Sequence, residues 1–203
     1  MTIHKEGYTN IAICILLIFL LNAFIQFYAP QAHAFKWIIY ILSLALFAAT
    51  LWFFRNPAVE IAANNKAVLS PADGIVTAIN EVEENGFAKG RYTKLSITIA
   101  PTDVRVNRSP ISGTVKYAQH GTHATVAIES NSGTTLLYRQ LPGYSKHIVI
   151  YPKQGDTITQ GAQLGFAMGG ANVEVFLPTG TPVSVEVNDV VKGGQTVLAQ
   201  LKS

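Results

Sequence analysis

The sequence predicts a mainly β domain carried behind an N-terminal transmembrane helical hairpin. Three observations support this. Two uncharged apolar runs of 18 residues, 11–28 and 37–54, stand close together near the N-terminus. After Arg55 the texture changes to short segments that alternate apolar and polar residues, punctuated by Gly, Pro, Asn and Asp. Charged residues make up only 13% of the 203 residues, against about 25% in an ordinary soluble domain. A disordered chain is excluded, and a single cysteine, Cys14, excludes a disulfide framework and a cysteine-based zinc site.

The hairpin comes first. An 18-residue helix is about 27 Å long, against a hydrocarbon core of ~30 Å. The link 29–36 is short, and Phe27, Tyr28, Phe35, Trp37, Trp52, Phe53 and Phe54 flank the runs where interfacial aromatics belong. A signal peptide followed by a buried helix is the alternative. Gln31-Ala32-His33-Ala34 faintly imitates a cleavage site, but it follows a run long enough to span a bilayer. Two crossings leave both ends on one side, and Lys5, Arg55 and Lys66 outside the hairpin, against Lys36 in the link, favour the cytoplasm. The expected organisation is therefore 1–56 as a two-helix anchor and 57–203 as the β-rich domain.

Strands are expected at 95–99, 125–128, 135–138, 147–151, 173–177, 183–187 and 196–199, where β-branched residues alternate with polar ones. No stretch after residue 60 has a long, capped helical pattern. The 147 residues of 57–203 are enough for a β sandwich or barrel with its own core. Glycines at 155 and 161 suit turns that need positive φ, and Asp156 can hydrogen-bond within its turn.

The punctuation Ser112-Gly113-Thr114-Val115, then Gly155-Asp156-Thr157-Ile158-Thr159-Gln160-Gly161-Ala162-Gln163-Leu164-Gly165, resembles the barrel-sandwich hybrid of lipoyl and biotinyl carriers and of zinc peptidases of the cell wall. A carrier needs a lysine at the hairpin tip, and Ala167-Met168-Gly169-Gly170-Ala171 has none. His120 and His123 lack a third ligand at suitable spacing, so no metal is expected.

Four stretches carry a closer resemblance. Phe53-Phe54-Arg55-Asn56-Pro57, Ser70-Pro71-Ala72-Asp73-Gly74, the run from Pro101-Thr102-Asp103-Val104-Arg105-Val106-Asn107-Arg108 to Ser112-Gly113, and Val173-Glu174-Val175-Phe176-Leu177-Pro178 are similar, in order, to motifs of the short, membrane-anchored bacterial phosphatidylserine decarboxylases. The resemblance spans nearly the whole chain. It implies a proenzyme that cuts itself at a Gly-Ser bond and turns the serine into a pyruvoyl group. That group serves as electron sink while phosphatidylserine becomes phosphatidylethanolamine and CO2. Asp73 falls on the family's self-processing base, and Gly170 and Ala171 fall on the cleavage pair.

The departures are as informative. Alanine at 171 has no Oγ, and no Gly-Ser dipeptide exists anywhere in the chain. Arg105 replaces the histidine of the family's Asp-Val-His-Val. The family's arginine pair falls on 141–147, where Lys146 and His147 stand, and its Asn-Glu-Arg segment is shortened away before Ala127. Such losses together point to divergence and to a chain without the pyruvoyl group. Asp103 reads as a turn carboxylate, and Asn107 as a partner for nearby backbone groups.

Between residues 89 and 147 eight Lys or Arg face only Asp103 and Glu129 as acids. Arg105, Arg108, Arg139, Lys146 and His147 are the candidate set for an anionic headgroup. Net charge of +3 with few interleaved aromatics gives no case for nucleic acid. Three functions fit: a working decarboxylase of phospholipid biosynthesis whose alanine at 171 was introduced by mutation, an uncut pseudoenzyme that binds anionic phospholipid or partners an active family member or its own copies, and an envelope structural module.

Overall fold

The computed structural model describes residues 2–61, 64, 66–87, 89–143, 148–168 and 171–201. The chain divides into two compact units, Met1–Ala58 and Val59–Ser203.

In the first unit, strand β1 (Thr2–Ile3) and a short 3-10 helix (Lys5–Gly7) lead into helix α1 (Tyr8–Tyr28). Helix α2 (His33–Phe53) returns antiparallel, and strand β2 (Arg55–Asn56) pairs with β1. Both helices are long and apolar enough to cross a membrane. The link is shorter than the hydropathy runs indicate, because α2 begins at His33 rather than Trp37. Lys36 therefore sits in the first turn of α2, only 8% exposed. Its ammonium donates to the Pro30 carbonyl at 2.7 Å, just beyond the end of α1, and to Gln26 Oε1 at 3.2 Å in its last turn. Asn22 Nδ2 donates to Ser43 Oγ at 3.1 Å, and Cys14 Sγ lies 3.5 Å from Thr50 Oγ1, so polar pairs set the register of an otherwise greasy interface.

The second unit is all β among its described residues. In order come β3 (Ala67–Leu69), β4 (Gly74–Glu84), β5 (Gly90–Ile99), β6 (Val106–Arg108), β7 (Gly113–Gln119), β8 (Ala124–Glu129) and β9 (Thr135–Pro142). Then follow β10 (Ile148–Ile150), β11 (Thr157–Ile158), β12 (Gln163–Ala167), β13 (Ala171–Pro178), β14 (Val190–Val191) and β15 (Val197–Gln200). Eight of them form one antiparallel sheet, β11-β7-β8-β9-β13-β5-β4-β14, curled into a half-barrel. Smaller sheets, β10-β12-β6 and β15-β3, complete the unit.

Period-two alternation explains the curl's two faces. Val126, Ile128, Leu136, Tyr138, Val173, Val175 and Leu177 point inward with Leu95, Ile97 and Leu164, all fully buried. On the outer face Ala127, Leu137 and Phe176 are covered by Val82, Tyr92 and Tyr117, and Phe87 stacks on Tyr117 at 4.7 Å. Gly161, at φ 79°, makes the turn that returns the chain into β12, and a Cβ there would also strike Ile61. Asp156 Oδ2 accepts the Lys153 N–H at 2.8 Å, closing its turn.

The segment 183–187 is not a strand. Only Val183 forms a bridge, with Ala199. The chain then turns away, because Asp189 Oδ2 caps the Glu186 N–H at 2.8 Å and Asn188 adopts φ 79°.

Candidate functional site

The site is built where β12 gives way to β13. Ala171 opens β13, paired with Ile99 of β5 and Pro142 of β9, and is 6% exposed. Its inward side chain is a methyl group. The neighbouring hydroxyl, Thr98 Oγ1, donates to Asn172 Oδ1 at 2.8 Å on the opposite, exposed face of the strand. A pyruvoyl group is made from a serine whose Oγ takes over the preceding acyl group and leaves with it on β-elimination, so an alanine does not fit as its precursor. Gly170 lies outside the described residues.

Asp73 is presented by the Ser70-Pro71-Ala72-Asp73-Gly74 turn. Ser70 Oγ closes that turn onto the Ala72 carbonyl at 2.7 Å, while Ser70 N–H donates to Thr196 O at 2.7 Å. The carboxylate is fully engaged: Oδ1 accepts the Gly193 N–H at 2.8 Å and Oδ2 accepts Lys192 Nζ at 3.1 Å. Glycine at 193 permits this approach, since a Cβ there would lie 3.2 Å from the Ala72 backbone.

Arg108 stands next to this turn. Its backbone N–H donates to Pro71 O at 2.7 Å and its Nη1 to Gly161 O at 3.1 Å. Burial lowers the pKa of the guanidinium from its ordinary value, opposed by the charge of Asp73. Arg105 is 3% exposed and lies against the last strand before the junction. Nη2 donates to Pro101 O at 2.7 Å, Nη1 reaches Ala167 O at 3.4 Å, and its own carbonyl accepts the Ala167 N–H at 2.8 Å. A guanidinium stays charged at any physiological pH, so it is a donor here and never a base.

Arg139 lies elsewhere. It occupies the outer face, where Nη2 meets both Glu84 oxygens at 3.1 Å, Nη1 is 3.7 Å from Glu174, and the guanidinium lies 4.8 Å from the Phe176 ring centre. Lys94 completes the group at 2.9 Å from Glu174. The structure thus brings Asp73 and Arg108 together, sets Arg105 beside the junction, and commits Arg139 to carboxylates of the sheet. Lys146 and His147 lie outside the described residues. Asp103 is a turn carboxylate, accepting the Ala100 N–H at 2.8 Å.

A buried polar cluster underlies the junction and was not anticipated. Asn107 Nδ2 donates to Gln140 Oε1 at 2.9 Å, Tyr138 OH donates to the same oxygen at 3.1 Å, and Gln140 Nε2 reaches Phe166 O at 3.3 Å. Asn107 therefore pairs with a side chain rather than with the nearby backbone. Burial pushes the Tyr138 phenol up from its ordinary pKa, against the effect of a hydrogen bond from Asn107, so it remains a donor. The cluster ties β6, β9 and β12 together. Its signal in the sequence is Gln140, a polar residue at an inward position of β9, in phase with Leu136 and Tyr138.

Comparison with known proteins agrees with this frame. The family model described as phosphatidylserine decarboxylase matches residues 46–141 and 119–199. The phosphatidylserine decarboxylase proenzyme of Cytophaga hutchinsonii is 32% identical over 220 aligned residues, covering 100% of both chains. That of Amoebophilus asiaticus is 32% identical, covering 99% of this chain and 97% of its own. That of Desulfotalea psychrophila is 32% identical over 76% of this chain and 80% of its own. The aligned span includes the Asp73 turn, Arg105, Arg108 and the junction strand alike, and the chain belongs to the phosphatidylserine decarboxylase family.

Proposed function

We propose that this chain is an uncut, non-catalytic member of its family, carrying no pyruvoyl group and working at a phospholipid membrane. The two apolar helices hold it in the cell membrane with the β unit on the cytoplasmic side. The observation that carries the reading is Ala171. A methyl group cannot attack the preceding carbonyl, so the amide cannot become the ester from which the ketone forms. Two further features support it. Arg105 stands where the family has a histidine and donates from both terminal nitrogens to carbonyls, and Asp73 is held by Lys192 and Gly193.

The role that remains is binding. The relatives are named for phosphatidylserine, and this chain keeps the Asp73 turn with Arg108 next to it. Anionic phospholipid, an active family member, or its own copies are the partners this supports.

The deciding experiment is intact-mass analysis of the full-length protein purified from membranes, with decarboxylation assayed on phosphatidylserine vesicles. One species near 22.0 kDa and no CO2 release are expected. A fragment starting at residue 171 with a keto-capped terminus would overturn the reading. Flotation with vesicles checks the binding role. Retention on phosphatidylserine above phosphatidylcholine is expected, and equal retention would favour an envelope structural module.

A further inference from the structure

The loop that joins β4 to β5 begins with Asn85-Gly86, the only Asn-Gly dipeptide in the chain. Such a pair is common in tight hairpin turns, where both residues adopt positive φ. Here neither does, so the backbone of the turn does not call for it. Both residues are exposed, and the Asn85 carboxamide has no hydrogen bond among the described residues.

Position 86 answers to a different constraint. Gly86 N–H donates to Glu84 Oε1 at 3.1 Å. Arg139, on β9, holds the same carboxylate, its Nη2 lying 3.1 Å from each oxygen. A Cβ on residue 86 would lie 2.6 Å from Glu84 Oε1, an oxygen that Arg139 keeps in place. The Gly86 nitrogen is therefore unshielded by any side chain of its own, and its hydrogen points at a fixed carboxylate.

We propose that Asn85 is a site of spontaneous deamidation through the main chain, with Glu84 as the proton carrier. The Gly86 nitrogen attacks Asn85 Cγ and forms a new C–N bond, while its hydrogen passes to Glu84. The bond from Cγ to the side-chain nitrogen breaks, Glu84 returns the proton to that nitrogen, and ammonia leaves. A five-membered succinimide joins residues 85 and 86. Water opens the ring at either carbonyl, giving aspartate or isoaspartate, and ammonia takes the proton of the new acid. No oxidant or reductant is needed.

Either product sets a new carboxylate one residue from Glu84, and isoaspartate also adds a methylene to the main chain. Both changes fall on the side chain that ties the end of β4 to Arg139, so the end of the β4–β5 hairpin loosens as the protein ages.

The test holds the full-length protein in detergent at physiological temperature and neutral pH. Peptides are followed by mass spectrometry, and isoaspartate by methyl transfer from an isoaspartyl methyltransferase. A gain of about 1 Da at Asn85, with methyl acceptance there, is expected well ahead of any change at Asn131-Ser132. That pair is equally exposed, but its second residue carries a side chain. Conversion at Asn85 no faster than at Asn131 overturns the site. Glu84→Gln keeps the shape of the acceptor but cannot carry the proton, and should slow conversion about five-fold or more. Arg139→Met loosens the same group without removing the carboxylate, and should not slow it. An unaltered rate in Glu84→Gln, or equal slowing in Arg139→Met, overturns the part given to Glu84. Aged protein whose hairpin end exchanges its amides no faster than fresh protein overturns the structural consequence.

Discussion

At position 171 a single methyl group stands on a strand laddered to Ile99 and Pro142, and restoring an oxygen there is expected to leave the machinery around it unrestored. In Ala171→Ser a relay through the family's positions would have to use Arg105, which cannot accept a proton, and Asp73, already bonded to Lys192 and Gly193. The expected outcome is an uncut chain and no efficient decarboxylation in a CO2-release assay; rapid turnover would refute this account of the site. Tyr138 yields a second residue-scale prediction. Its folded pKa is raised above the ordinary value of 10.0, so its stabilising contribution is complete below that pH. As pH rises above about 10 the unfolded phenol ionises while the folded one resists, and the contribution is progressively lost. Urea unfolding of Tyr138→Phe should show about 1 kcal/mol less stability near neutrality, from the lost bond to Gln140, and a shallower decline between about pH 9 and 11. The alanine, the turn aspartate and the arginine substitution are all legible as residue types at motif positions. What each residue touches is not. Lys192 meets Asp73 from 119 residues away, a pairing that no local pattern encodes.

The outer face of the sheet is cross-linked by four charged side chains on four strands. Glu84 stands near the end of β4, Lys94 on β5, Arg139 on β9 and Glu174 on β13. Their side chains are 10 to 24% exposed, so the pairs are screened less than open surface bridges. A double-mutant cycle of Glu84→Gln and Arg139→Met should give a coupling of about 1 kcal/mol by chemical denaturation, and Glu84→Gln alone should speed amide exchange at the end of the β4–β5 hairpin. A coupling near zero would make this network ornamental. Strands β5, β8, β9, β10, β13 and β15 were readable because β-branched and apolar residues alternate with polar ones along them. Strand β4 was not, since its outer half reads Asn80, Glu81, Glu83 and Glu84 and a bulge between Val76 and Ala78 breaks the alternation. The segment 183–187 failed the other way: it alternates well but finds a partner only at Val183. Alternation reports which face is apolar, whereas a strand also needs a free edge to pair with.

Over the whole molecule, the division into a helical unit and a β unit follows from where the apolar residues lie, and the structure shows each unit packed on its own terms. Hydropathy located the hairpin but not its register, which is set by pairs of polar atoms. Strand β13 has a further consequence for how the polypeptide is joined. From its first residue it is laddered on both edges, to β5 and β9, and Val173, Val175 and Leu177 anchor it in the interior. The covalent link ahead of Ala171 is therefore dispensable for holding that strand in place. Two separately encoded fragments, 1–170 and 171–203, should find one another on co-expression and co-purify through a tag on either piece. Failure of the short fragment to be retained would show that continuity is required. Their reunion would mean that the architecture tolerates a nick ahead of Ala171.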